Sequence, residues 1–163
     1  MRSLRGPLAL VSLLAGLGAG PLAAQDAVAV DRTLDGLAFK AGAGFEPSQV
    51  VVGVQYAGGK VLDIFRVLPN AQLGFGDYGS LDAGVDFVAR FAAGEGKVGL
   101  YAGAGPSLGV VWPSGESDTF FALSLVGGII LPIHDTWGTS LEARWMVVDD
   151  VAPEFRLLAV INP

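Results

Sequence analysis

Leu81-Asp82-Ala83-Gly84-Val85-Asp86-Phe87-Val88-Ala89-Arg90-Phe91 is the stretch whose reading decides the fold. Its odd positions are all apolar, and Asp82, Asp86 and Arg90 fall on even ones. Successive side chains of a strand point to opposite faces, so a strand here has one apolar and one charged side. In a soluble barrel or sandwich the apolar side turns inward. In an outer-membrane barrel it turns outward to lipid and the charges line the interior.

The same pattern recurs along the chain, with short turn-rich stretches between segments. It predicts eight strands, at residues 37–45, 49–56, 61–75, 81–91, 98–112, 119–131, 137–148 and 153–161. Residues 137–148 set Trp137, Thr139, Leu141, Ala143, Trp145 and Val147 opposite Glu142 and Arg144. Residues 153–161 set Phe155, Leu157, Ala159 and Ile161 opposite Glu154 and Arg156. In 37–45 Lys40 opposes Leu37, Phe39, Ala41, Ala43 and Phe45, and in 61–75 Arg66, Asn70 and Gln72 oppose Ala71, Leu73 and Phe75. Pro69 lacks a ladder donor, which predicts a bulge or a late start for that strand. Residues 119–131 are apolar on both faces and leave their phase open. Helix-period stripes are absent, and 24 glycines argue against helices. An even number of hairpin-linked strands, most near the ~9–11 residues that cross a bilayer at a tilt, predicts an all-β fold. The expected form is an eight-stranded antiparallel up-and-down transmembrane β-barrel, whose closure leaves no edge in lipid.

Lys40, Arg66, Arg90, Arg144 and Arg156 fall on the same face as Asp82, Asp86, Glu142 and Glu154. Five positive and four negative groups make a near-neutral set within an acidic chain. An enclosed interior requires such balance, because a buried charge without a partner is strongly disfavoured. Phe45, Phe75 and Trp112 sit on apolar faces beside alternate turns, and Tyr56, Phe91 and Trp137 beside the others. Two aromatic rims at opposite strand ends are what membrane interfaces select. The competing reading is a soluble periplasmic lipid- or ligand-binding β-barrel with the apolar face inward.

Met1-Arg2-Ser3-Leu4-Arg5 precedes a short apolar stretch that ends at Pro21-Leu22-Ala23-Ala24-Gln25. A basic start, a short apolar core and small residues before a polar one predict a signal peptide over residues 1–24. Residues 25–36 then form a polar, acidic lead-in, and residues 37–163 the barrel. Removal of the leader leaves eight basic and sixteen acidic residues, a net charge of −8 against −6 for the full chain. That balance excludes nucleic acid as a partner. An exported chain with no cysteine has no disulfides and depends on packing or closure for stability.

Leu100-Tyr101-Ala102-Gly103-Ala104-Gly105-Pro106 and Leu141-Glu142-Ala143-Arg144-Trp145, with the leader and the eight strands, resemble the small bacterial outer-membrane β-barrels. That group is the OmpA-like and OmpX-like barrel domains, and the resemblance covers residues 37–163. It implies insertion by the barrel-assembly machinery, both termini in the periplasm, and outer-membrane lipids and lipopolysaccharide as the surroundings. The expected role is structural or in envelope interaction, with a lumen plugged by charged side chains.

Catalytic chemistry is sparse. His134 is the sole histidine, in Pro132-Ile133-His134-Asp135-Thr136, with Ser124 and Ser140 in flanking strands. A lipid A-modifying barrel enzyme needs a Ser-His pair within hydrogen-bond reach, and this topology separates them. Asp82, Asp86, Glu142 and Glu154 read as salt-bridge partners rather than an acid–base pair. Gly103-Ala104-Gly105-Pro106-Ser107-Leu108-Gly109 has neither the spacing of a dinucleotide loop nor a following helix. No cofactor and no metal site are expected. Acids in the turns, including Glu46, Asp77, Glu116, Asp118, Asp149 and Asp150, read as solvated.

Overall fold

A computed structural model describes residues 36–46, 48–61, 64–93, 98–113, 116–131, 137–147 and 155–163. The leader, most of the lead-in, His134, Asp149, Asp150 and Glu154 lie outside the described residues. The strands in chain order are β1 (Gly36–Phe45), β2 (Gln49–Ala57), β3 (Lys60–Val61), β4 (Phe65–Gly76), β5 (Gly79–Ala93), β6 (Val98–Trp112), β7 (Asp118–Leu131), β8 (Gly138–Val147) and β9 (Phe155–Asn162). Eight of them close a barrel. Antiparallel pairing runs from β2 through β1, β9, β8, β7, β6 and β5 to β4, and β4 pairs back onto β2. The ninth, β3, is a two-residue extension along the start of β4, where Lys60 faces Arg66.

The expected strand over 61–75 therefore starts late, at Phe65, and Val61 belongs to the preceding short strand. Pro69 lies within β4 and is exposed. Straight continuation from Val61 would have set Asp63 in phase with the apolar face. A second irregularity lies opposite Pro106. The β5–β6 ladder runs without a break on either side of Val85 and Asp86 but is interrupted there, because proline has no N–H to give.

Facing residues followed round the ring from Ala38 pass through Gln55, Asn70, Gly84, Ser107 and Ala122. The same registers carried through β8 and β9 return to the β1 line ten residues along, at Ser48. Eight strands with that stagger lean about 40° from the barrel axis. Each residue then rises about 2.5 Å along the axis. Phe65 and Phe75, both outward on β4, are about 25 Å apart in height on that rise, the thickness of an outer-membrane apolar band. The upper end of the barrel carries the β1–β2, β4–β5 and β6–β7 connections, with Glu46, Ser48, Asp77, Tyr78 and Pro113 among their described residues. The lower end carries the described terminus at Gly36 and the β2–β4 connection.

Strand coiling brings backbones close where side chains would obstruct them. A Cβ on Gly42 would overlap the Leu157 carbonyl oxygen, and one on Gly105 the Val85 carbonyl oxygen. Gly42→Ala is expected to cost about 1–3 kcal/mol, because backbone of the neighbouring strand must move. Gly59→Ala, where a Cβ meets nothing within 4 Å, is the matched control. Denaturant midpoints of the two variants against the parent check the difference.

Candidate functional site

The two faces of the barrel wall separate by phase with few exceptions. Outward positions include Leu37, Phe39, Val50, Val52, Val54, Leu73, Leu81, Phe87, Leu108, Phe121, Leu123, Leu141 and Leu157, all exposed. No described outward position of the eight barrel strands holds a charged residue; Thr119 and Thr139 are the polar ones. This is the inverse of a soluble barrel. The phase of β7, open in the sequence, resolves with Phe120, Ala122, Ser124, Val126 and Ile130 inward and Phe121, Leu123, Ile129 and Leu131 outward.

The six aromatics expected at the rims are all outward and exposed. Phe45, Phe75 and Trp112 stand at the upper end, and Tyr56, Phe91 and Trp137 at the lower. Phe45 also packs against Phe155, with ring centroids 5.8 Å apart and planes tilted 37°.

The structure turns every described member of the expected charge set inward. Lys40, Arg66, Asp82, Asp86, Glu142, Arg144 and Arg156 are buried, and Arg90 is half-buried. Six of them join in one connected chain. Lys40 Nζ on β1 donates to Glu142 Oε1 at 2.7 Å and Oε2 at 3.0 Å on β8. Arg144 Nη2 bridges Glu142 Oε1 at 3.2 Å and Asp86 Oδ2 on β5. Asp86 also accepts from Asn70 Nδ2 at 2.9 Å, and Asn70 Oδ1 accepts from Gln72 Nε2 at 3.2 Å, both on β4. Gln72 Oε1 accepts from Arg156 Nη1 on β9 at 3.1 Å, and the same nitrogen reaches Asp82 Oδ2 at 2.6 Å. Arg66 and Arg90 lie toward the lower end and make polar interactions of their own.

Uncharged partners complete the chain, and a search for charges alone misses them. The Tyr101 hydroxyl donates to Glu142 Oε2 at 3.0 Å. Ser124 Oγ donates to Asp86 Oδ1 at 2.7 Å and accepts from Arg144 Nη1 at 3.2 Å. Near the upper end, Gln49 Nε2 donates to the Tyr78 carbonyl at 3.1 Å, and Ser80 Oγ to Gln49 Oε1 at 3.2 Å. Their signal was the shared inward phase: Tyr101, Ser124, Asn70, Gln72, Gln49 and Ser80 all occupy it.

Two apolar groups accompany this chain. One contains Ala57, Leu68, Val88, Tyr101, Val126 and Ile130. The other, toward the upper end, contains Val111, Phe120, Ala122 and Met146, with Tyr78 packed against it. Burial pushes the Tyr78 hydroxyl up to about 12, opposed by the nearby Arg156 charge. Ser124 and Ser140 both face inward, Ser124 bound to Asp86. Among the described residues no group of three or more His, Cys, Asp or Glu is placed to hold a metal, and no helix is long and apolar enough to cross a membrane.

With a closed eight-stranded wall, an uncharged exterior and a charged interior, the chain is comparable with solved barrels. It has an outer-membrane β-barrel fold. Neisserial surface protein A (NspA) is similar over 77% of this chain and 92% of its own, with 17% identity and a TM-score of 0.53. Ail, the attachment invasion locus protein of Yersinia pestis, covers 78% of this chain and 97% of its own, with 16% identity and a TM-score of 0.45. At 17% identity the likeness to NspA is one of architecture alone. No family model matches the chain, and no curated protein is similar in sequence.

Proposed function

We propose that the protein resides in a bacterial outer membrane as a non-catalytic barrel, with a structural or envelope-interaction role. The observation that carries this is the uncharged exterior. The described outward positions of all eight strands hold apolar residues, glycine, proline or threonine, and aromatics stand at both ends. Exposed apolar surface on a soluble monomer rarely exceeds a few hundred Å² in one patch. A continuous band round the whole wall is matched by hydrocarbon. NspA, which has the same fold, is named as a surface protein.

In this reading residues 1–24 direct export, and the barrel-assembly machinery inserts the chain. Outer-membrane lipids, lipopolysaccharide included, surround the band, and the upper end faces outward. The inward charges Lys40, Arg66, Asp82, Asp86, Arg90, Glu142, Arg144 and Arg156 fill the lumen together with the apolar groups, and the sequence phase assigns Glu154 to the same set. An eight-stranded barrel has an interior just wide enough for side chains. The lumen network is then a stabilising device, and Phe45, Tyr56, Phe75, Phe91, Trp112 and Trp137 anchor the wall at the two interfaces.

Membrane fractionation with gel migration of unheated and boiled samples tests the reading. The expected result is recovery with the outer membrane, release by detergent, and a folded band that shifts on boiling. Recovery in the detergent-free soluble fraction would overturn it.

A further inference from the structure

Arg156 is fully buried, and its Nη1 serves both Gln72 and Asp82. Its Nε and Nη2 meet no acceptor. These two nitrogens form one side edge of the planar guanidinium, the fork that takes two oxygens of a carboxylate or phosphate side by side. A buried polar group without a partner is costly, and here two donors of one charged group are in that position.

Other groups in the same part of the interior share the condition. Asp82 Oδ1, Ser107 Oγ and the Tyr78 hydroxyl are buried without hydrogen-bond partners. Asp82 faces Gly109 and Ser107 faces Gly84 on the β5–β6 ladder, so the two point inward at successive levels. Tyr78 lies in the turn above them.

We propose that the Nε/Nη2 edge of Arg156, with the Ser107 and Tyr78 hydroxyls, binds one small monovalent oxyanion that keeps a hydroxyl group, of the bicarbonate or dihydrogen phosphate class. Two of its oxygens accept from the guanidinium edge. Its own O–H donates to Asp82 Oδ1, which a fully deprotonated anion repels. The hydroxyls of Ser107 and Tyr78 supply further donors. The inference rests on the fold and not on residence in a membrane.

The test uses the folded chain in a phosphate-free detergent at mildly acidic pH, where inorganic phosphate is mainly the monoanion. Phosphate, sulfate and chloride are titrated at matched ionic strength, with the thermal midpoint of the folded gel band and phosphorus NMR line width as readouts. Phosphate is expected to raise the midpoint saturably and broaden its own resonance, and sulfate and chloride are expected to do neither. Arg156→Lys keeps the charge and loses the fork, and should weaken the phosphate response about tenfold. Ser107→Ala should weaken it about threefold. Equal responses to all three anions, or an unchanged response in Arg156→Lys, would overturn the proposal and assign the edge to water. If Arg156→Lys lacks the native band, Ser107→Ala decides: an unchanged response there overturns it too.

Discussion

Arg144→Met is expected to destabilise the barrel by about 3–5 kcal/mol, because it removes one partner of a buried ionic network and leaves the others in place. Arg144 reaches Glu142, Asp86 and the Ser124 hydroxyl from one side chain. With methionine there, Asp86 keeps Asn70 and Ser124, and Glu142 keeps Lys40 and Tyr101. The deficit is therefore a charge deficit more than a lost hydrogen bond. The companion Arg144→Met/Asp86→Leu variant removes the isolated charge as well and should recover much of the loss, since apolar replacement of a whole buried pair is often neutral. Equilibrium unfolding in denaturant, with both variants beside the parent, reads the outcome. A loss below about 1 kcal/mol in the single variant would mean that solvent reaches Asp86, as at an exposed pair.

A positive charge in the middle of the outer wall should have a comparable effect for the opposite reason. Val52 lies midway along β2, outward, exposed, and facing Ala41 and Leu73. Val52→Arg is expected to cost about 2–4 kcal/mol in lipid vesicles, where the guanidinium must stay near the hydrocarbon midplane. Tyr56→Arg, at the lower rim of the same strand, should cost about 0–1 kcal/mol. On a water-facing surface both changes would fall within about 0.5 kcal/mol of neutral. The depth dependence is thus the informative quantity, measured as the difference between the two unfolding free energies. Equal, small values would contradict a lipid-facing wall.

Much of this architecture was legible in β5 and β8, where every charge falls on one phase and the other phase carries none. In those strands phase, face and ion-pair candidates follow from spacing alone. The β7 strand was illegible because the interior is not uniformly polar. Phe120, Val126 and Ile130 fill inward apolar groups, so both faces of that strand read alike. The late start of β4 was signalled by Pro69, but its place was not, because Val61-Leu62-Asp63-Ile64-Phe65 resembles the opening of a strand and only Asp63 is out of phase. The charge set was readable as a list, but its pairing was not. Which acid meets which arginine depends on the stagger across the barrel: Arg144 and Arg156 are direct neighbours on the β8–β9 ladder, yet reach different aspartates of β5. Tyr101 and Ser124 needed the same three-dimensional stagger to appear as partners.

The β1–β9 seam has a consequence for how the molecule is made. Phe39 meets Ile161 and Phe45 meets Phe155, so the first strand waits for the last before its outer edge is paired. Until β9 arrives, every partial sheet has two rows of open backbone N–H and C=O groups. Water tolerates those rows and invites association through them, whereas hydrocarbon does not tolerate them at all. A chain shortened before Phe155 would lose more than one strand: it could neither enter a bilayer as an open sheet nor remain safely outside one. Closure of the sheet is accordingly close to all-or-none, and β9 completes it by pairing with both β8 and β1.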